Sequence, residues 1–209
     1  MPSTPPRTTY TLPRPHTDKA KREMERFLVR RSAHLEALQS IALTILIWGP
    51  DPTSNSAVAT KRLQIQDELL AEGHNALLSE QIAPPEHHDG ITLGTDELSQ
   101  ARAAHLIFSL IEDAPGALAE TVLYGGRPEI AHKLRVMAPV RYQAGFAAHS
   151  VLMNLAKGYN AIYWYQHEDI VACNLLGQAM ACAQARREMY AAFPQDLEQD
   201  LEQDRESCG

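Results

Sequence analysis

Three cysteines in 209 residues are too few and too irregularly placed to staple this chain. Cys173, Cys182 and Cys208 are an odd number with no CxxC spacing, which argues for a reduced, cytoplasmic setting over a disulfide-built secreted one. Long apolar runs are also missing. The longest, Ile41 to Trp48, is far too short to span a bilayer, so no membrane partner is expected. The first residues are rich in Pro, Thr and Arg and hold no apolar h-region, so no secretory signal is expected. There is no GxGxxG and no GxxxxGK[ST], which excludes a dinucleotide fingerprint and a P-loop. Basic charge is scarce outside one end. Residues 1–31 carry eight Lys/Arg against three Asp/Glu, whereas the whole chain has a net charge of −7. An acidic body does not suit a broad nucleic-acid surface. The basic N-terminal region remains a candidate contact for a regulatory protein or a nucleic-acid partner.

What is present is a repeating alternation of apolar runs and amphipathic segments. Residues 1–16 hold five prolines and read as a flexible arm. Residues 17–40 read as an amphipathic helix with Met24, Phe27, Leu28, Leu35 and Leu38 on one stripe. That stripe would pack on the main domain or on another copy of the chain, so a homo-oligomer is expected. Residues 195–209 form an acidic, low-complexity tail expected to be disordered. Between them, residues 41–194 read as one α/β domain. Its strands are Ile41–Trp48, Asn75–Ser79, Leu106–Ile111, Leu134–Ala138 and Asn160–Tyr165, with helices between them and a long helix from Asp169 to Phe193. Five alternations of strand and helix predict a parallel sheet with right-handed crossovers. The flavodoxin-like (Rossmann-like) order 2-1-3-4-5 is expected, with its switch point between strands one and three.

The stretch from Leu106 to Glu120 organises the rest. A near-continuous apolar run suits a strand covered on both faces. Asp113 stands at its end, and Pro115-Gly116 suits a tight turn into a helix that carries Glu120. Ligands of open α/β sheets bind beyond the carboxyl ends of the strands. Asp113 and Glu120 are therefore the candidate catalytic carboxylates. A carboxylate in an apolar lining can act as a nucleophile or stabilise an oxocarbenium-like sugar cation. Opposite them, Gly49-Pro-Asp-Pro-Thr-Ser-Asn-Ser56 leads from a strand into a helix. Gly49, Pro50, Asp51, Ser54 and Ser56 are candidates to bind ribose or phosphate oxygens; the competing reading is an ordinary connection with Ser54 or Ser56 as a cap. Arg141 and Tyr142 follow strand four and could bind phosphate or stack on a base. Glu86-His87-His88-Asp89 lies in a proline-rich loop with no partner pair at helical spacing, so no metal site is expected.

The order strand, Gly-Pro loop, helix, then strand and Asp113-Ala-Pro-Gly-Ala-Leu-Ala-Glu120 resembles a superfamily. It joins nucleoside 2-deoxyribosyltransferases, TIR-like NAD-consuming domains and bacterial defence effectors, including those of retrons. The likeness spans roughly residues 41–190. Ala114 stands where that superfamily often has serine or aspartate. The resemblance implies that Glu120 attacks or stabilises the sugar anomeric carbon and that Asp113 handles base or ribose. It implies cleavage or transfer of an N-glycosidic bond in a nucleoside, nucleotide or NAD, with no cofactor, NAD being a substrate. The implied setting is a toxin-like antiphage effector. The rival expectation is a non-catalytic nucleotide sensor or scaffolding module that uses the same crevice.

Overall fold

A computed structural model describes residues 17–82, 93–144, 151–172 and 174–195. The expected arm (1–16) lies outside these residues, as does the tail from 196 onward. The chain divides into two compact units, Met1–Leu38 and Gln39–Gly209. The first unit contains all but the last residue of helix α1 (Asp18–Gln39). Phe27, Leu28 and Leu35 of its apolar stripe are exposed.

In the second unit, five strands form one sheet: β1 (Thr44–Trp48), β2 (Asn75–Leu78), β3 (Leu106–Leu110), β4 (Leu134–Pro139) and β5 (Ile162–Tyr165). Every pairing is parallel and the order is 2-1-3-4-5, the expected flavodoxin-like arrangement. The helices are α2 (Ala57–Ala71), α3 (Leu93–Ala103), α4 (Pro115–Tyr124), α5 (Pro128–Ala131), α6 (Val151–Tyr159), α7 (His167–Val171) and α8 (Asn174–Ala192). Both faces of the sheet are covered. Ile45, Ile47, Phe108 and Leu110 pack with Val58, Ile65 and Leu69 of α2 and with Leu175, Ala179 and Tyr190 of α8. Leu46, Trp48, Ile107 and Val136 point the other way, into a core with Ala101, Ala117, Tyr124, Ile130 and Leu155. Burial on two faces is why these strands read as unbroken apolar runs, each fully buried Leu or Ile contributing about 1.5–3 kcal/mol.

The single long helix expected from Asp169 to Phe193 is corrected to two, α7 and α8. Ala172 leaves the helical region with ψ near 4°. The carboxylate of Asp169 accounts for the break. It accepts the Gln166 N–H at 2.7 Å to cap α7 and also accepts the Asn174 amide at 2.7 Å, at the start of α8.

At the amino ends of the central strands, two imidazoles complete the backbone of β1. Leu43 N–H donates to His74 Nδ1 at 3.2 Å, and Thr44 N–H donates to His105 Nδ1 at 2.8 Å. His74 directly precedes β2 and His105 directly precedes β3. Burial, aided by the Arg187 charge, pushes the His74 imidazole down to about 4. Arg187 itself donates to the Ile41 and Glu72 carbonyls.

Candidate functional site

The carboxyl edge of the sheet at the switch point is built by β1, β3 and the helices that follow them. Helix α4 starts at Pro115, whose fixed φ suits the first helical position. It is locked to β3 from below. Thr121 and Ser109 are both fully buried and their hydroxyls lie 2.8 Å apart, while the Thr121 hydroxyl also donates to the Ala117 carbonyl at 2.8 Å. With Thr121 facing the sheet, its neighbour Glu120 is brought to the half-buried edge. Tyr124, one turn on, is buried, and its ring lies 6.0 Å from that of Trp48, the last residue of β1. The Tyr124 hydroxyl donates to Glu97 Oε2 of α3 at 3.2 Å.

Glu120 is the electrostatically unusual group of this crevice. Burial pushes its carboxyl up to about 7; the charges of Glu97 and Glu80 add to the effect and Arg62 opposes it. A carboxyl raised to about 7, close to Tyr124 and at a topological switch point, is the candidate functional group of this edge. Burial also raises the Tyr124 hydroxyl, with Glu97 as the second cause.

Asp113 sits apart from this cluster. It ends β3 in a left-handed conformation, φ 54°, which aspartate tolerates better than most residues. Its carboxylate is exposed and lies 3.6 Å from Arg141 Nη2. The adjacent Glu112 is the buried acid. It accepts the Tyr165 hydroxyl at 2.5 Å and pairs with Arg141 Nη1 at 2.9 Å. Burial raises the Tyr165 hydroxyl, and the bond to Glu112 raises it further. Arg141 also lies over the Tyr142 ring, 5.4 Å from its centroid. Asp113, Arg141 and Tyr142 thus come together beyond β3 and β4, in a group with Glu112 and Tyr165. The charges acting on Glu120 come from Glu97, Arg62 and Glu80 instead.

The Gly49–Ser56 loop is placed beyond β1, and its polar groups are engaged with one another. Asp51 Oδ1 accepts the Thr53 N–H and hydroxyl at 2.8 and 2.7 Å, which holds the Asp51 carboxyl below its usual range. The Ser54 hydroxyl bonds that of Ser56 at 3.4 Å. Ser56 Oγ accepts the Ala59 N–H at 3.0 Å as the N-cap of α2. The Pro50 carbonyl accepts from Arg62 at 2.8 Å.

Seven residues of these clusters are absent from the sequence-based candidates: Trp48, Arg62, Glu80, Glu97, Glu112, Tyr124 and Tyr165. Tyr124 carried the one usable signal, since it lies four residues after Glu120 and so shares its helix face. Among the described residues no group of three His, Cys, Asp or Glu is arranged to hold a metal ion. Glu86-His87-His88-Asp89 lies outside them. No described helix is long and apolar enough to cross a membrane. Compared with known proteins, the sequence matches no family model and no curated protein.

Proposed function

We propose that this chain breaks or exchanges the N-glycosidic bond of a nucleoside, a nucleotide or NAD. The observation that carries the reading is Glu120: a half-buried carboxylate at the switch point, with its midpoint raised to about 7 and close to Tyr124, whose ring packs near that of Trp48. The ionised Glu120 oxygen forms a bond to C1′, or stabilises the cation developing there. The bond from C1′ to the base nitrogen breaks, and its electron pair leaves with the base. Water or a second base then takes the sugar from Glu120, giving hydrolysis or transfer. Glu97, which accepts the Tyr124 hydroxyl, would hold ribose hydroxyls or the leaving base. Asp113 with Arg141 and Tyr142 would contact the more distant part of a larger substrate. The chemistry needs no metal and no redox cofactor, and NAD enters as substrate. By its resemblance the protein belongs in bacterial antiphage defence, as a cytoplasmic toxin restrained by a partner on the basic N-terminal helix.

The test is release of free base. Purified protein is incubated with NAD and a panel of nucleosides, deoxynucleosides and their 5′-phosphates, and products are separated by chromatography. Release by the wild type and its loss in Glu120→Gln is the expected result. No release from any substrate, together with unchanged cellular toxicity of Glu120→Gln, removes the enzyme reading. It would leave a ligand-sensing or scaffolding module, which the exposed Phe27, Leu28 and Leu35 of α1 favour because they suit assembly.

A further inference from the structure

Arg62 belongs to α2, on the opposite face of the sheet from α4, yet its guanidinium ends at the carboxyl edge of β1. Its side chain is completely buried. Nη2 donates to the Ile47 carbonyl at 2.6 Å and Nη1 to the Pro50 carbonyl at 2.8 Å. Both also bind the Glu80 carboxylate, each at 2.7 Å, in a bidentate pair. That pair overcomes the effect of burial on Glu80 and keeps its carboxyl below the usual range. The path to this position exists because residue 49 is glycine. A Cβ there would lie 2.7 Å from Arg62 Cδ and 3.1 Å from Nε.

We infer that Arg62 is the positioning residue of the switch-point crevice: admitted by Gly49, it clamps the end of β1 to the turn after β2 and supplies positive charge to the Glu120 site. The two carbonyls it holds flank Trp48 and Gly49. Fixing them fixes Trp48, whose ring meets Tyr124, whose hydroxyl orients Glu97. The planar fork of arginine makes two parallel bonds to Glu80 that lysine cannot make. Stability alone is a poor reason for the group. A buried ion pair often contributes little net stability, and Arg62 Nε is buried with no hydrogen-bond partner among the described residues. The groups bearing on Glu120 are Glu97 from α3, Tyr124 from its own helix, Glu80 from the turn after β2, and Arg62 from α2.

The role rests on the proposed function only in naming Glu120 as the reacting group, and its test needs no turnover. The Glu120 side-chain carboxyl is titrated by 13C NMR and assigned with Glu120→Gln. Arg62→Gln is expected to raise its midpoint by about one pH unit, a roughly tenfold smaller ionised fraction below the midpoint. Arg62→Lys should restore part of that loss. Glu80→Gln, which removes a like charge, should move the midpoint down. A purely structural Arg62 would not give opposite shifts. Unchanged midpoints in folded Arg62→Gln and Arg62→Lys overturn the inference. If Arg62→Gln does not fold, Gly49→Ala and Glu80→Gln carry the test, and a midpoint that fails to rise in the first and fall in the second overturns it. Opposite shifts without base release would remove the proposed function and leave this role standing. Base release with unmoved midpoints would do the reverse.

Discussion

The two rims of the sheet use buried polar groups in opposite ways. At the amino rim each group completes the backbone: His74 and His105 accept amides of β1, and Arg187 donates to carbonyls. Those groups bond backbone atoms, and the one charge among them, Arg187, favours the neutral His74 imidazole. At the carboxyl rim, acids crowd. Burial lifts the Glu120 carboxyl to about 7, the charges of Glu97 and Glu80 add to the effect, and one buried guanidinium opposes them. A rim built for stability avoids such crowding, because like charges without full solvation cost free energy. The contrast teaches where chemistry is to be sought, since perturbed acids in a crevice cluster at functional sites.

The largest expected effect is at Glu120. Glu120→Gln should lower base release by at least about a thousandfold, roughly 4 kcal/mol of transition-state stabilisation. Base release by the wild type should rise with pH through about 7 as Glu120 ionises. The same substitution should stabilise the fold at pH 8 by about 1–2 kcal/mol, discounted for partial exposure. A gain in stability coupled to loss of activity is the mark of a site kept at the fold's expense. Denaturant melts at pH 8 that show Glu120→Gln less stable than wild type would break the contrast between the rims.

His74→Ala should give the next largest effect. It leaves the buried Leu43 N–H without an acceptor, at a cost of about 2 kcal/mol in chemical denaturation. His74→Asn should recover much of that, because the asparagine Oδ1 falls near the position of Nδ1. Base release per folded molecule should stay unchanged in both.

The pH dependence of stability sets the two rims against each other. Glu120 goes from 4.5 unfolded to about 7 folded, so the folded state holds the extra proton and stability falls as pH rises across that window. His74 goes from 6.5 unfolded to about 4 folded, so the unfolded state holds the extra proton and stability rises with pH across 4 to 6.5. The two slopes oppose each other between 4.5 and 6.5. Melts of Glu120→Gln should reveal the rising slope, and melts of His74→Asn the falling one. Each is bounded by about 1.4 kcal/mol per pH unit. Parallel pH profiles in the two variants would show that one of the rims is misassigned.

The sheet was legible because its strands are apolar on both faces and Pro or Gly punctuates the connections. Glu120 was legible because Pro115-Gly116 fixes where α4 starts. Arg62 was not. Lys61 and Arg62 look like the solvated face of α2, and the partners that make burial tolerable, Pro50 and Glu80, lie 12 and 18 residues away. Choosing between Glu112 and Asp113 also needs distant information. All five residues of β3 are buried, so alternation gives no parity, and the hydroxyl that selects Glu112 comes from Tyr165, 53 residues on. The two histidines of the amino rim follow no period at all, since each answers a single amide of another strand. Asp169 misled through its dual bonding: a residue expected to open one long helix instead caps the start of a short one and also bonds the first residue of the next.

Ser56 gives the smallest effect and the finest test of the carboxyl rim. It lies beyond the carboxyl end of β1, where the sequence predicts a ribose or phosphate contact for it. Its lone pair is already directed at the Ala59 N–H, 3.0 Å away, in extended backbone suited to an N-cap. A cap of this kind contributes about 1 kcal/mol. Ser56→Ala should therefore lower stability by about that amount, while Ser56→Asp, which caps equally well, should restore it. With both variants kept well below their melting temperatures, KM for the cleaved substrate should stay within about twofold of wild type, since a hydroxyl committed to the helix contributes no transferable binding energy. A KM rise of about tenfold or more in Ser56→Ala, unrelieved by Ser56→Asp, would return Ser56 to the substrate and widen the working crevice from α4 across to the start of α2.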